Sequence, residues 1–165
     1  MIAHIEAYNK QFNTDYCYII PSNLYSELDA HKLSKAHYIT ALLNKILEQD
    51  AVGGDTITLL GTGKPLRQFT YTGDIANIIK TMIDNNIYQS FNVSNPETYS
   101  INELALITLK ALNKEHWKLI YESPELDGQY RKDVSIEKMN KIIPNFKFTS
   151  FFEGVKKVYI EKQNS

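Results

Sequence analysis

The chain has 165 residues, 43% hydrophobic and 22% charged, with a formal net charge of -1 at pH 7. This length is enough for one domain with a buried core, and the balanced charge argues against the basic face of a nucleic-acid-binding protein. Cys17 is the single cysteine, which excludes an intrachain disulfide and argues against a cysteine-based zinc site. No segment approaches the roughly 20 apolar residues that span a bilayer, so we expect a cytoplasmic protein.

The first predicted elements are a helix over residues 1–12 and a strand over YCYIIP, residues 16–21. The strand is apolar without alternation, which is typical of a strand buried on both faces of a parallel sheet. Such a strand needs a neighbour on each side, and no other strand precedes it in the sequence. We therefore expect exposed apolar surface here, and a dimer or larger assembly that covers it.

Helices and strands alternate through the rest of the chain, which predicts an α/β fold. YITALLNKILEQ has one apolar face, typical of an amphipathic helix, and a helix over GDIANIIKTMIDN has either Thr72 or Asp74 as its N-cap. Ser100 and Glu103 form a capping-box pattern before another helix. Strands are predicted over TITLL, RQFTY, SFNVS and WKLIY, and two helices over SIEKMNKIIP and FTSFFEGVKKVYIEK close the chain.

The residues directly after the buried strand are the first candidate site. In open parallel sheets, ligands bind beyond the carboxyl ends of the strands, and Asn23 offers a donor and an acceptor at that place. The alternative is a strand-ending turn in which Asn23 satisfies its own backbone.

His37, at the start of the amphipathic helix, could act as an acid or base near neutral pH. The alternative is a histidine held by an ordinary hydrogen bond at a helix start. His4, His31 and His116 have no carboxylate or cysteine at metal-ligand spacing, so no metal site is expected.

A basic set forms the third candidate. Arg67 follows the rigid turn GTGKP, and arginine suits the oxygens of a phosphate. Asp127 lies at a turn, where its carboxylate could accept from a sugar hydroxyl. Each of these residues could equally lie on a solvated surface. Because they are far apart in the sequence, their spacing does not show that they form one site. The other members of the basic set are Lys45, Arg131 and Lys132.

Seven segments, in this order and spacing, resemble the C-terminal half of the GDP-L-fucose synthase family: EAYNKQF, IIPSNLY, HYITALLNK, LLGTGKPLRQFTYTGDIA, YSINELA, DGQYRK and IPNFKFTSFFEGV. These enzymes are extended short-chain dehydrogenase/reductases that convert GDP-4-keto-6-deoxymannose to GDP-L-fucose with NADPH. The resemblance implies the substrate-binding lobe of such an α/β enzyme, with the last part of its Rossmann sheet at the N-terminus. Residues 1–36 would be the Rossmann remnant of helix, strand and active-site loop, and residues 37–165 the lobe.

The resemblance also implies roles for individual residues. His37 matches the family's acid and lies near the cofactor, Lys45 matches a residue that holds the GDP diphosphate, and Arg67 matches one that contacts the nucleotide. Leu60 stands where the family has a tryptophan near the substrate. The residues that would lie against the nicotinamide end of NADP are Pro21, Ser22, Asn23 and Leu24, and those on the substrate side of the late loop are Asp127 and Lys132.

Several departures qualify these implications. The family's Tyr-x-x-x-Lys pair should end just before Met1, and this sequence has neither that pair nor the glycine-rich NADP loop. Ser26-Glu27, Asp29-Ala30 and Leu60 also depart from the family pattern. We expect a chain that binds a GDP-sugar, does not bind NADPH alone, and is inactive without an N-terminal Rossmann half. The alternatives are a non-catalytic sugar-nucleotide-binding or interaction module, and a related nucleotide-sugar epimerase or dehydratase.

Overall fold

The computed structural model describes residues 2–27 and 38–163. Strands and helices alternate through these residues, which confirms the predicted α/β class. The helices are α1 (Ile2–Phe12), α2 (Tyr38–Ala51), α3 (Thr72–Asp84), α4 (Ile101–Ala111), α5 (Glu137–Ile142) and α6 (Phe151–Gln163), with a 3-10 turn at Pro124–Leu126. The strands are β1 (Ile19–Pro21), β2 (Asn23–Tyr25), β3 (Thr56–Leu60), β4 (Leu66–Arg67), β5 (Phe69–Tyr71), β6 (Phe91–Val93), β7 (Tyr99–Ser100), β8 (Lys118–Glu122) and β9 (Arg131–Lys132).

The strands pair mostly in parallel. β1 pairs with β6, β2 with β5, and β3 with β8, each in parallel register. β4 lies between β7, which is antiparallel to it, and β9, which is parallel. Because parallel strands bring their carboxyl ends to one edge, the segments that follow β1 and β6, and those that follow β3 and β8, are neighbours.

The main hydrophobic core is formed by α2, α4 and α6 together with β3 and β5. The predicted apolar face of α2 is buried: Ile39, Leu43 and Ile46 are fully inaccessible, and Leu42 is 1% exposed. α4 packs on α6. A second, smaller core lies between α3, α5 and β6, and consists of Ile78, Met82, Phe91, Val93, Met139 and Ile143.

The N-terminal region differs from its prediction. α1 forms as expected, but none of its residues is buried. The predicted strand over residues 16–21 is wrong in length, since β1 begins at Ile19. The exposed apolar surface expected here is confirmed, since Ile20 is 42% exposed. Among the described residues β1 has β6 as its one strand neighbour, which leaves its other edge and much of its surface uncovered.

Two helix starts can be compared with their predictions. Neither Thr72 nor Asp74 is the N-cap of α3: the helix begins at Thr72, and Tyr71 occupies the cap position without a side-chain hydrogen bond. Asp74 lies in the first turn, buried, and accepts from the amide and the hydroxyl of Thr149 at 2.9 and 2.8 Å. The capping box of α4 is confirmed, with the backbone amide of Ser100 donating to Glu103 Oε2 at 2.7 Å.

None of the helices in the described ranges is long and apolar enough to span a bilayer.

Candidate functional site

The carboxyl ends of β1 and β6 lie side by side, as the parallel-sheet argument predicts. Pro21 pairs with Val93, and the amide of Ser22 donates to the carbonyl oxygen of Val93 at 2.9 Å. The hydroxyl of Ser22 accepts from Ser94 Oγ at 2.8 Å and lies 3.0 Å from Thr70 Oγ1. The predicted cofactor-side segment is therefore held by hydroxyl contacts to two neighbouring strands.

Asn23 does not lie in a strand-ending turn. It is the first residue of β2, opposite Phe69 of β5, and its Nδ2 donates to the carbonyl oxygen of Gln68 at 2.9 Å. The alternative in which Asn23 satisfies its own backbone is thus wrong, because the partner is 45 residues away in sequence. Leu24 follows in β2 opposite Thr70.

The turn before Arg67 is shaped by two glycines in the left-handed region, Gly61 with φ of 88° and Gly63 with φ of 74°. A side chain at Gly63 would also approach the ring of Tyr121 to 2.6 Å. Both the backbone conformation and the lack of space therefore require glycine at this position. Arg67 follows this turn as the last residue of β4. Arg67 is half-buried, and its Nη1 donates to the carbonyl oxygen of Leu66 at 2.7 Å.

Asp127 connects the loop after β8 to the loop after β3. Its Oδ1 accepts from the backbone amide of Thr62 at 2.8 Å, and its Oδ2 accepts from the hydroxyl of Thr62. These hydrogen bonds lower the pKa of Asp127, and the positive charges of Lys64 and Arg67 lower it further. We predicted that this carboxylate accepts from a sugar hydroxyl. In this structure it accepts hydrogen bonds from Thr62.

Lys132 lies directly opposite Arg67, as its register partner in the parallel pair of β4 and β9. Gly128 is close as well, since a Cβ there would lie 3.6 Å from Arg67 Nη2. Arg131, the residue before Lys132, is instead paired with Asp133 at 2.9 Å. Residues far apart in sequence are thus neighbours: the fold brings together Arg67, Asp127 and Lys132.

Lys45, in α2, contacts β3, and Leu60 is the last residue of β3. The ammonium group of Lys45 donates to the carbonyl oxygen of Thr58 at 2.7 Å, so α2 is tied to the strand two residues before Leu60. Leu60 ends β3 with 59% of its surface exposed, next to the turn that carries Thr62. His37, the predicted acid, lies outside the described residues.

A cavity of about 290 Å³ joins the two predicted groups of ligand-contacting residues. Pro21, Ser22 and Asn23 line one part of it, and Lys132 and Val134 another. A lining that is partly polar and partly apolar, at the carboxyl end of a parallel strand, is typical of a place where a small ligand binds. Across the described ranges, no group of three or more histidine, cysteine, aspartate or glutamate side chains could hold a metal ion.

Four buried polar residues behind this cavity were not predicted from the sequence: Gln68, Thr70, Ser94 and Asn95, with exposures of 5% or less. Thr70 Oγ1 accepts from the amide of Asn95 at 2.8 Å, and Gln68 Oε1 accepts from Ser94 Oγ at 3.1 Å. Gln68 and Thr70 flank Phe69, the first residue of β5, and polar residues beside a buried aromatic are a weak signal that could have indicated them. Nothing local marks Ser94 or Asn95.

Comparison with known proteins identifies the family of this chain. Residues 1–94 match the NAD dependent epimerase/dehydratase family. A GDP-L-fucose synthase of Dictyostelium discoideum is 31% identical over 153 residues, which cover 91% of this chain and 47% of that enzyme. The chain spans about half the length of the curated relatives it matches.

Solved structures show the same fold. A GDP-L-fucose synthetase of Naegleria fowleri bound to NADP superposes with a TM-score of 0.85 at 23% identity, covering 98% of this chain and 52% of that one. A UDP-N-acetylglucosamine 4-epimerase of Methanobrevibacter ruminantium gives a TM-score of 0.82 at 17% identity, covering 98% of this chain and 50% of that one. The family model matches more than half of the sequence, and the chain belongs to the NAD dependent epimerase/dehydratase family.

Proposed function

We propose that this chain is the sugar-nucleotide-binding part, the C-terminal half, of a GDP-L-fucose synthase-like enzyme, which converts GDP-4-keto-6-deoxymannose to GDP-L-fucose with NADPH. The observation that carries the proposal is the register of Arg67 with Lys132 in adjacent strands, because Lys132 lines a cavity whose other wall is formed by Ser22 and Asn23. An arginine with a lysine as its neighbour suits the phosphate oxygens and the attached sugar of a sugar nucleotide.

Each residue has a role in this proposal. Arg67 and Lys45 bind the nucleotide diphosphate, Lys132 binds on the sugar side, and Asp127 holds the turn before Arg67 in place through Thr62. Pro21, Ser22, Asn23 and Leu24 lie along the nicotinamide of NADPH, which supplies the hydride when bound. His37 delivers a proton to the sugar during epimerisation, and Leu60 contacts the substrate with an aliphatic side chain. These residues bind and orient; the remaining contacts to NADPH come from outside this chain.

The partner in this proposal is a polypeptide segment that carries the other half of the relatives' length. The edge of β1 that has no strand neighbour among the described residues, and the exposed surface of α1, support it, because a strand edge with apolar neighbours accepts a further strand. We expect no turnover from this chain alone, and a dimer or larger assembly. A monomer in sedimentation velocity would contradict the assembly.

Calorimetric titration with GDP tests the binding role of Arg67. Wild-type protein is expected to bind GDP, and Arg67→Ala is expected to weaken binding by about tenfold or more, because a charge-assisted contact to phosphate is lost. Arg131→Ala is the matched control, since Arg131 is a nearby exposed arginine that pairs with Asp133. Absence of GDP binding, or equal loss in both variants, would contradict the proposal.

A second candidate is the same kind of site for a different sugar nucleotide. It is favoured by the exposed aliphatic side chain of Leu60 at the end of β3, where the family resemblance implies an aromatic ring. Competition between GDP and UDP separates the two candidates. Selective binding of GDP supports the GDP-sugar, and selective binding of UDP supports the second candidate.

A further inference from the structure

We propose that Gln68 is a positioning residue, which fixes the segment that carries Lys132 against the segment that carries Asn23. Gln68 lies between β4 and β5 and is 5% exposed. Gln68 does not itself line the cavity, and it acts on the cavity through Asn23 and Val134, which do. The ligand-binding consequence rests on the proposed function, whereas the positioning itself does not.

Gln68 accepts hydrogen bonds from two directions, one at its backbone carbonyl and one at its side chain. Its carbonyl oxygen accepts from Asn23 Nδ2 at 2.9 Å, on the side where β5 pairs with β2. Its side-chain Oε1 accepts from the amide of Val134 at 2.9 Å, on the side where β4 pairs with β9. Gln68 is therefore the residue at which the chain passes from one strand pair to the other.

The bond to Val134 extends a very short pair of strands. β4 and β9 have two residues each, and the last register pair is Arg67 with Lys132. The amide of Val134, two residues beyond Lys132, is bonded by the Gln68 side chain instead of by a backbone carbonyl. The position of Lys132 thus depends on a side-chain anchor directly after a two-residue strand.

The amide group of Gln68 suits this task chemically. Oε1 accepts from the hydroxyl of Ser94 at 3.1 Å as well as from Val134, so both lone pairs of the oxygen are used. Ser94 is fully buried, and its single hydroxyl proton also has Ser22 Oγ at 2.8 Å and the carbonyl oxygen of Asn95 at 3.0 Å within reach. Removal of the oxygen would leave the backbone amide of Val134 without this acceptor, and a donor left without a partner away from water is costly.

Asn23 and Val134 both line the 290 Å³ cavity, together with Lys132. One residue behind the cavity therefore sets the distance between its predicted cofactor side and its predicted substrate side. A loss of that anchor should loosen the late loop without unfolding the main core, which lies around α2, α4 and α6.

Hydrogen exchange at single amides tests the anchor. Gln68→Met preserves the length of the side chain and removes the acceptor, so the Val134 amide is expected to exchange about tenfold faster or more. Gln68→Glu keeps an oxygen acceptor and is expected to retain protection close to that of wild type. Thr108→Val removes a fully buried hydroxyl in α4, which donates to the carbonyl oxygen of Leu104, and should leave the Val134 amide unchanged.

Titration of the same variants with GDP tests the consequence for binding. Gln68→Met is expected to lower GDP affinity about fivefold or more relative to Thr108→Val, with Gln68→Glu in between. If the Val134 amide stays protected in Gln68→Met, or exchanges as fast in Thr108→Val, the positioning role is overturned. If wild type does not bind GDP while Val134 exchange still depends on Gln68, the proposed function fails and the positioning role stands.

Discussion

The N-terminal region, residues 2–27 with α1, β1 and β2, and the main core around α2 both have apolar residues at regular spacing, yet their helices differ in burial. Ile46 of α2 is fully inaccessible, whereas Ile2 and Phe12 of α1 are 42% and 53% exposed. Within the described residues, α2 is covered by β3 and its neighbours, and α1 buries none of its side chains. An apolar pattern therefore indicates which face of an element is suited to burial, but it does not indicate which surface covers that face.

The two regions meet at Tyr25. This residue ends β2 directly after the predicted cofactor-side segment, and its ring is 1% exposed between Phe69 and Phe151. Burial raises the pKa of its hydroxyl well above the ordinary value, and Asp74 adds to the shift. The N-terminal region is thus anchored at one end in the core, while α1 remains on the surface. The following predictions test this difference.

The largest effect is expected from a matched pair of truncations. Ile46→Ala should lower the free energy of unfolding by about 2–5 kcal/mol, because it leaves a cavity in a close-packed core. Ile2→Ala, the same chemical change in α1, should cost no more than about 0.5 kcal/mol. Urea unfolding of both variants measures the difference. Equal losses would show that α1 is covered in the isolated chain.

A glycine in α6 tests the packing around Tyr25. Alanine at Gly154 would normally favour a helix, but its Cβ would meet the Tyr25 hydroxyl and lie 2.9 Å from the ring carbon Cζ. Gly154→Ala should therefore cost about 1–3 kcal/mol, measured by urea unfolding. Tyr25→Phe in the same chain should recover part of the loss, since it removes the nearer atom. A stabilised Gly154→Ala variant would contradict this packing.

The capping box of α4 gives a smaller effect with a defined pH dependence. Ser100→Ala should cost about 1 kcal/mol. The backbone amide and hydroxyl of Ser100 lower the pKa of Glu103 below its ordinary value of 4.5. The stabilisation is therefore complete above pH 4.5 and is lost as the pH falls through the lower pKa of the folded state.

Glu103→Gln tests that pH dependence. Its unfolding free energy should be below that of wild type at neutral pH and should approach it in acid, as the wild-type carboxylate becomes protonated. A difference that stays constant from neutral to acidic pH would mean that the Glu103 charge does not contribute. Urea unfolding across this range is the measurement.

The smallest effect is expected at Tyr71, whose hydroxyl donates to Glu27 and so ties the end of the N-terminal region to the start of α3. Burial, with the hydrogen bond and charge of Glu27, raises the pKa of Tyr71 to about 12 from an ordinary value of 10.0. The folded state keeps the proton longer, so stability falls as the pH rises from 10.0 to about 12. Tyr71→Phe should show a shallower alkaline loss; an unchanged loss would contradict the contact.

Local features were predictable from the sequence, and long-range partners were not. The buried face of α2 and the capping box of α4 depend on residues within a few positions of one another, and both were predicted correctly. The bonds of Gln68 to Asn23 and Val134 join residues 45 and 66 positions apart, so nothing in their local sequence indicates them. The same holds for Asp127, whose partner Thr62 is 65 positions away.

The errors have physical causes of the same kind. YCYIIP was predicted to be a strand over residues 16–21 because its composition is apolar throughout, but strand length also depends on the pairing partner, and β1 pairs with β6 over Ile19–Pro21. Asp74 was a candidate N-cap by residue type, and Thr149 competes for its carboxylate from 75 positions away. The family resemblance predicted candidate residues, and the fold then brought Arg67 and Lys132 into register.

The central claim is that this chain is one half of a sugar-nucleotide enzyme whose uncovered N-terminal region receives the other half. The most direct test is NADPH oxidation with GDP-4-keto-6-deoxymannose after mixing this chain with the part of the Dictyostelium discoideum GDP-L-fucose synthase that it does not match. We predict no oxidation by either polypeptide alone, oxidation by the mixture, and a reduced rate with Arg67→Ala. Absence of oxidation by a mixture in which circular dichroism shows both polypeptides folded would contradict the claim.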